Sequence, residues 1–225
     1  MSQTTCPDAE PETRERRGEA VSSDTLSKPP SPRTRGVFVV TENRRQPRQH
    51  KGLVIVNTGN GKGKTTASMG LAIRAAGNGM KVLIVQFIKG RWKSGEREAL
   101  KHIPGVDVYV MGLGFTIERL RDERISDDEH QAAAAEAFAF ARERLIAGEY
   151  AMVVLDEILG SIKAGLVTLD QVLALVHDKP PQAHLVLTGR NAPEALVDAA
   201  DLVTEMREVK HPYRQGITAQ RGIEF

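Results

Sequence analysis

The stretch LVIVNTGNGKGKTT, residues 53–66, decides the fold of this chain. A run of apolar, β-branched residues passes into a glycine-rich loop, and Lys64-Thr65 then opens a helical pattern. This order is that of the phosphate-binding loop written G-x-x-x-x-G-K-[ST]. Thr58 stands where the first glycine of that pattern belongs. The stretch therefore predicts a nucleotide loop that departs from the usual form at one position, which raises the question of what chemistry the loop serves.

The rest of the chain repeats the alternation of strand and helix. Uniformly apolar runs of this length suit strands that are covered on both faces. Strand runs lie at 53–59, 81–87, 106–111, 150–157, 184–190 and 202–209, and helical patterns lie at 64–77, 95–102, 126–147, 168–178 and 193–200. Three helices begin with capping patterns, which are Ser126-x-x-Glu129, Thr168-x-x-Gln171 and Asn191-x-x-Glu194. The sequence predicts a P-loop NTPase-like α/β fold, with a doubly wound, mainly parallel sheet of about six strands flanked by helices.

Residues 1–50 differ in composition from the rest of the chain. Six of the eleven prolines lie there, among Ser, Arg and Glu and few apolar residues. A segment of this composition buries too little surface to offset the entropy lost on ordering. We expect a disordered tail over residues 1–35 and a folded domain over residues 51–225.

Charge and hydropathy exclude several classes of partner. Residues 1–50 hold nine Lys/Arg and seven Asp/Glu, which accounts for the net charge of +2 and leaves the domain neutral. A neutral domain does not predict a basic face for nucleic acid. Cys6 is the only cysteine, and neither a signal peptide nor a run approaching the roughly 18 apolar residues of a membrane span is present. We expect a cytoplasmic protein that binds neither nucleic acid nor membrane.

The glycine loop carries the first set of candidate site residues. Its glycines permit successive amides to point at phosphate oxygens, and the following helix adds its positive N-terminal end. We expect Lys64 to reach the terminal phosphates and Thr65 to be a ligand of Mg²⁺, so both are predicted catalytic residues. The predicted ATP-binding residues here are Gly59, Asn60, Gly61, Lys62, Gly63, Lys64, Thr65 and Thr66.

The run VVLDE, residues 153–157, supplies the partner that such a loop needs. An apolar strand there delivers carboxylates to the edge where parallel strands end and ligands bind. Asp156 is predicted to bind Mg²⁺ directly or through water. Glu157 is predicted to be a second metal ligand or a catalytic base that orients water.

Two arginines are further candidates for ATP binding. Arg190 in LTGRNAP follows a predicted strand, where a guanidinium can grip a phosphate with two hydrogen bonds. Arg74 lies ten residues after Lys64, nearly three helical turns away, so it reaches ATP only if the ligand is long. Surface ion pairing is the alternative for each.

Taken in order, several segments resemble one family, the P-loop corrinoid adenosyltransferases, also called cob(I)yrinic acid a,c-diamide adenosyltransferases. The resemblance covers residues 51–225. Its segments are KGLVIVNTGNGKGKTTASMG, VQFIKGRWKSGE, GFT, VVLDE, VLTGRNAPEALVDAADLVTEMREVKHP and GITAQRGIEF. Their joint order, with the GRNAP and KHP blocks, makes the likeness specific.

The resemblance implies a reaction in which ATP serves as an alkylating agent. In this family the loop lacks the first glycine, and ATP lies in the reverse sense to that in kinases. The 5′ carbon is attacked by the Co(I) centre of a reduced corrinoid, either cob(I)alamin or a biosynthetic precursor, and triphosphate leaves. Adenosylcobalamin biosynthesis or salvage is the implied role, with a reduced flavoprotein as electron donor.

The resemblance also implies where the corrinoid binds. Phe115 of the loop GFTI, residues 114–117, matches a phenylalanine of the apolar wall under the corrin, while Ile117 stands where the family commonly has tryptophan. Residues 36–50 correspond to a lid over the corrinoid site, often that of the partner subunit in a homodimer. A disordered continuation of the tail is the alternative for that segment.

Three other functions are compatible with the residues alone. A P-loop ATPase would use Glu157 to orient an attacking water, and a small-molecule kinase would pass the terminal phosphate to an acceptor. A non-catalytic nucleotide-binding module would leave ATP intact. The resemblance favours the adenosyltransferase over all three.

Overall fold

The strands form one fully parallel sheet in the computed structural model, which describes residues 51–88, 94–114 and 124–224. Their order across the sheet is β3-β2-β4-β5-β1-β6. The strands are β1 (Val54–Thr58), β2 (Val82–Gln86), β3 (Val106–Val110), β4 (Met152–Asp156), β5 (His184–Thr188) and β6 (Leu202–Glu205). Six strands and wholly parallel pairing confirm the predicted fold class.

Helices cover both faces of the sheet. They are α1 (Lys64–Gly77), α2 (Gly95–Leu100), α3 (Asp127–Ile146), α4 (Ile158–Lys163), α5 (Leu169–Asp178) and α6 (Glu194–Ala199), followed by a 3₁₀ turn at Pro212–Gln215. The capping boxes at Ser126 and Thr168 are formed as predicted. The third predicted cap is wrong, because Pro193 is the N-cap of α6 and Asn191 has a φ of 57°.

Alternation along each central strand divides the core into two layers. Val54 and Val56 of β1 face the layer that contains α3, α4, α5 and α6, while Ile55 faces the layer that contains α1 and α2. The same alternation holds along β2, β4 and β5, because successive side chains of a strand point to opposite faces. This is the doubly wound arrangement predicted from the uniformly apolar runs.

The order of the strands brings the polar segments together. Strand β5 lies between β1, which ends in the glycine loop, and β4, which ends at Asp156. Because all strands are parallel, their carboxyl ends lie on one edge of the sheet, where ligands of open α/β folds bind. The predicted tail over 1–35 and the predicted lid over 36–50 lie outside the described residues.

Candidate active site

The glycine loop wraps around the ammonium of Lys64. Gly63 precedes α1 with a φ of 110°, a conformation that glycine adopts without strain. Lys64 is 7% exposed, and its Nζ donates hydrogen bonds to the carbonyl oxygens of Gly59 at 2.9 Å and Gly61 at 2.7 Å. The loop therefore holds a buried cation at the N-terminus of a helix, where a phosphate would be attracted by both.

The pKa of Lys64 is set by opposing influences. Burial lowers it below its ordinary value of 10.5, and the carboxylate of Glu157 raises it in partial compensation. Arg190 lowers this pKa further, while Asp156 raises it. Arg190, Glu157 and Asp156 thus share the electrostatic environment of Lys64, as the sequence predicts for one site at the edge of the sheet.

The loop also packs against the segment that follows β6. The amide of Gly61 donates to the carbonyl oxygen of Met206 at 2.6 Å, and a Cβ atom on Gly61 would lie 2.7 Å from that oxygen. A side chain at this position would displace the loop from its support. Gly61 is therefore required by close packing of two backbone segments.

Thr58 has a structural role at the position where the usual pattern has glycine. Its hydroxyl accepts a hydrogen bond from the amide of Ala192 at 3.1 Å, and its carbonyl oxygen accepts one from the amide of Met206 at 2.8 Å. The segments that follow β5 and β6, the two strands beside β1, are thereby joined to the start of the loop. A glycine would lack the hydroxyl that makes the first of these bonds.

Asp156 is the centre of a buried polar cluster at the end of β4. Its side chain is fully buried, and its Oδ1 accepts hydrogen bonds from the hydroxyls of Thr65 and Thr188, each at 2.9 Å. Its Oδ2 accepts a hydrogen bond from Nε2 of Gln86 at 2.8 Å. Thr65 and Asp156, each predicted as a ligand of Mg²⁺, are therefore hydrogen-bonded to each other in the structure.

Glu157 has a backbone conformation that is unusual for its side chain. Its φ is 63°, in the left-handed region, and its amide donates to the hydroxyl of Thr188 at 2.8 Å. Non-glycine residues in this conformation cost free energy, and such strain clusters at functional sites. The turn allows the chain to leave β4 and enter α4, with Glu157 beside the loop.

The oxygen donors at this edge fit a magnesium ion. Hydroxyl and carboxylate oxygens are the ligands that Mg²⁺ takes from proteins, together with phosphate oxygens and water. Thr65 and Asp156 present such atoms within hydrogen-bond distance of each other, close to the helix N-terminus that would attract phosphate. Among the described residues, no group of three or more His, Cys, Asp or Glu side chains forms an all-protein metal site.

The remaining predicted site residues that the structure describes have exposed side chains. The side chains of Asn60, Lys62 and Thr66 are exposed on the loop and the first turn of α1. Arg190 is also exposed, just beyond β5. Arg74 lies in the last turn of α1, about 15 Å along the helix from Lys64 at the standard rise per residue, so its contact with ATP stays a prediction. Phe115 and Ile117 lie outside the described residues.

Several residues of the site were not predicted from the sequence. Gln86 and Thr188 hold Asp156, and Asn57 donates to the hydroxyl of Ser68, which in turn donates to the carbonyl oxygen of Lys64. Glu224 forms an ion pair with Lys62 of the loop. The position of Thr188 at the end of a strand was a signal for a site residue, whereas a contact between residues 62 and 224 has no local signal.

Comparison with known proteins identifies the family of this chain. Residues 50–225 match the model of the family described as ATP:corrinoid adenosyltransferase BtuR/CobO/CobP. The chain is 43% identical to a corrinoid adenosyltransferase of Pseudomonas aeruginosa over 189 residues, covering 83% of this chain and 90% of that protein. It is 46% identical to one of a Sinorhizobium species over 178 residues, with 78% and 81% covered.

A third relative is also similar over most of its length, whereas the likeness to a solved structure is weak. A corrinoid adenosyltransferase of Escherichia coli strain K12 is 41% identical over 180 residues, covering 80% of this chain and 89% of that protein. Among solved structures, the flagellar accessory protein FlaH of Methanocaldococcus jannaschii aligns at 14% identity and a TM-score of 0.39, covering 69% and 71% of the two chains, a likeness too small to bear on function. The family match and the relatives agree with one another, and the chain therefore belongs to the ATP:corrinoid adenosyltransferase family.

Proposed function

We propose that the glycine loop of this adenosyltransferase holds the triphosphate of MgATP as a leaving group during adenosyl transfer. The Co(I) centre of the reduced corrinoid substrate supplies an electron pair to the 5′ carbon of ATP. A cobalt–carbon bond forms, the bond from that carbon to the triphosphate oxygen breaks, and its electron pair leaves with the triphosphate. No phosphoryl group is transferred to an acceptor.

The buried Lys64 is the observation that carries this proposal. Its ammonium lies at the N-terminus of α1, inside a loop whose amides can face phosphate oxygens. Charge that develops on a leaving triphosphate is stabilised best by preorganised donors and cations in a site that excludes water. Two exposed cations lie near Lys64, which are Lys62 on the same loop and Arg190 just after β5.

The protein needs to contribute little covalent catalysis to this reaction. A Co(I) centre is a strong nucleophile, so the protein has to align the 5′ carbon with cobalt and stabilise the departing charge. The arrangement of Lys64, Thr65 and Asp156 suits these tasks, because it would hold the triphosphate without supplying a competing nucleophile. Glu157 would orient the metal or its bound water from the left-handed turn beside the loop.

Mg²⁺ fits this arrangement through the oxygen donors of Thr65 and Asp156, with Glu157 as an additional candidate. When bound, the ion would neutralise charge on the triphosphate and help to orient it. Thr65 would then present its hydroxyl oxygen to the ion while donating its proton to Asp156, as it does in the structure. The ATP-binding residues would include Asn60, Thr66 and, at greater distance, Arg74.

The corrinoid side of the site rests on family resemblance. Phe115 and Ile117 would form part of an apolar wall under the ring, and residues 36–50 would act as a lid across a homodimer. A reduced flavoprotein would supply the electron in the cytoplasm. The acceptor would be either an early biosynthetic corrinoid or salvaged cobalamin.

Among the described residues, no helix is both long and apolar enough to cross a membrane.

An anaerobic assay tests the proposal. The purified protein is mixed with MgATP and chemically reduced Co(I) corrinoid, the visible spectrum is followed, and the phosphate product is identified. Adenosylcorrinoid formed with one equivalent of triphosphate is the expected result. Unchanged corrinoid with accumulating orthophosphate would instead indicate an ATPase, and phosphate on an added acceptor would indicate a kinase.

A further inference from the structure

The carboxylate of Asp156 is held from the neighbouring strand as well as from the loop. Gln86 is the last residue of β2 and lies opposite Asp156 in the register of the two parallel strands. Its Nε2 donates to Oδ2 of Asp156 at 2.8 Å, and both side chains are almost fully buried. Thr65 and Thr188 donate to the other oxygen, so hydrogen bonds restrain both oxygens of the carboxylate.

The orientation of the Gln86 amide is determined by Arg97. An amide can turn either its oxygen or its nitrogen toward a neighbour, and only the nitrogen can donate to a carboxylate. Arg97 of α2 donates from Nε to Oε1 of Gln86 at 2.6 Å. Since a guanidinium has no acceptor, this bond assigns the oxygen to Arg97 and leaves the nitrogen for Asp156.

Restraint of the Asp156 carboxylate affects the affinity for Mg²⁺ more than it affects the packing of the strands. Mg²⁺ demands nearly ideal octahedral geometry, so the direction of a ligand oxygen affects affinity strongly. Residues that hydrogen-bond to a metal ligand typically change metal affinity by about 10- to 100-fold when they are replaced. An apolar side chain at position 86 would fill the same buried space between the strands and would leave Oδ2 of Asp156 without this donor.

We propose that Gln86 is a positioning residue for the metal ligand Asp156, and that Arg97 positions Gln86 by fixing the orientation of its amide. This inference rests on the proposed role of Asp156 in binding MgATP. It assigns a role in ATP binding to α2, the short helix that follows β2 in the chain and carries Arg97.

The test compares metal-dependent with metal-free nucleotide binding in the full chain. Isothermal titration with ATP is performed in excess Mg²⁺ and in chelator, and the binding of Mn²⁺ in the presence of ATP is followed by electron paramagnetic resonance. For Gln86→Met we expect the affinity for MgATP and for Mn²⁺ to fall about 10-fold or more. The affinity for ATP in chelator should stay within about two-fold of the wild-type value, because the loop itself is unchanged.

Substitutions of Arg97 separate positioning from simple burial. Arg97→Met should weaken Mn²⁺ binding by a smaller factor, because the Gln86 amide is retained and loses only its fixed orientation. Arg97→Lys should restore binding, since an ammonium can also donate to Oε1 of Gln86. Lys101→Met is the matched control on the adjacent turn, where the exposed Lys101 pairs with Glu98, and it should bind Mn²⁺ as the wild type does. Thermal denaturation checks the folding of each variant, and if Gln86→Met does not fold, the Arg97 pair carries the test.

The outcomes distinguish this inference from the proposed function. Wild-type protein that binds ATP equally well with and without metal would refute the magnesium role, and with it this inference. Metal-dependent binding in the wild type that is unchanged in Gln86→Met and Arg97→Met would overturn the positioning role and leave the proposed function standing. Equal loss of affinity in chelator would show that the substitutions disturb the loop, which also contradicts the inference.

Discussion

At the scale of single residues, the site combines a buried cation with a strained turn. Lys64 is buried, and the carbonyl oxygens of two loop residues accept its hydrogen bonds. Burial lowers its pKa from the ordinary value of 10.5. A triphosphate would offer the ammonium stronger, charge-assisted bonds than the carbonyls do, so Lys64 is suited to bind an anion.

Lys64→Ala tests the importance of this cation. We expect turnover to fall by at least about 100-fold, a loss typical of removing one preorganised donor from a site of charge development. Steady-state adenosylation with reduced corrinoid measures the effect. Lys62→Ala is the comparison, since Lys62 is exposed, and its loss should be much smaller. Turnover by the Lys64 variant within a few-fold of the wild-type rate would contradict the assignment.

Glu157→Gly tests the strain at the end of β4. Glycine adopts a φ of 63° without the penalty borne by Glu157, so this variant should unfold at a higher temperature than Glu157→Ala, by about 2–4 °C for a gain of about 1 kcal/mol. Both variants lack the carboxylate, and both should lose most adenosyltransferase activity. Calorimetry and the anaerobic assay measure the two effects. A Gly variant no more stable than the Ala variant would show that the turn is not strained.

At the scale of elements, strand β5 makes stabilising contacts at both of its ends. Its carboxyl end contacts the site residues, and its amino end contacts the segment before β1. Thr188 ends β5 and reaches Asp156 and Glu157 because β5 lies beside β4. At the opposite end, Nδ1 of His184 accepts a hydrogen bond from the amide of Leu53 at 3.0 Å, just before β1. Strand β5 therefore links the site at one edge of the sheet to the start of β1 at the other.

The bond made by His184 predicts a dependence of stability on pH. Burial lowers the pKa of His184 below 6.5, and the charge of Lys179 lowers it further. Because the unfolded chain then binds protons more readily, the free energy of unfolding should be maintained above pH 6.5 and should decrease as the pH falls through 6.5 toward the folded-state pKa. Protonation would also place two donors face to face at the Leu53 amide.

Denaturant unfolding at several pH values measures this effect, with His184→Gln as the control. The side-chain oxygen of glutamine can accept the same hydrogen bond but does not titrate. The difference in unfolding free energy between wild type and control should therefore change in favour of the control as the pH falls below about 6.5. A difference that stays constant between pH 5 and pH 8 would exclude His184 as the titrating group.

At the scale of the whole molecule, the end of the chain returns to the glycine loop. Met206 supports Gly61 through its backbone, and Glu224 pairs with Lys62. The side chain of Glu224 is 12% exposed and that of Lys62 is 57% exposed, so the pair lies at the boundary between the loop and solvent. A triphosphate that recruits Lys62 would compete with this carboxylate.

Glu224→Gln tests this competition. Removal of the carboxylate charge should free Lys62 for phosphate and lower the KM for ATP by about two- to five-fold, as expected for an ion pair worth less than about 1 kcal/mol. Glu208→Gln is the matched control, because Glu208 pairs with Arg214 in the same C-terminal region and not with the loop. Initial rates at varied ATP measure KM. A KM that rises in Glu224→Gln would mean that the pair supports the loop and does not compete with ATP.

The comparison of prediction with structure separates local from long-range information. Periodicity and β-branched runs predicted all six strands and five of the helices, because these depend on local backbone preference and on burial. The capping boxes at Ser126 and Thr168 are equally local. The pattern at Asn191 failed because Pro193 follows it and begins the helix two residues later. Helix α4 was not predicted, because it contains Gly160, a poor helix former, and no side-chain capping pattern marks its start.

The sequence by itself determined the α/β class, the glycine-rich loop between β1 and α1 and the family, because these depend on order and spacing along the chain. Only the tertiary structure decided the strand order that places β5 between β1 and β4, and with it the contacts of Thr188 and Gln86 to Asp156. It alone brought Glu224 to Lys62. Such contacts join residues between 32 and 162 positions apart, and they follow from the packing of the sheet and not from any local preference of the chain.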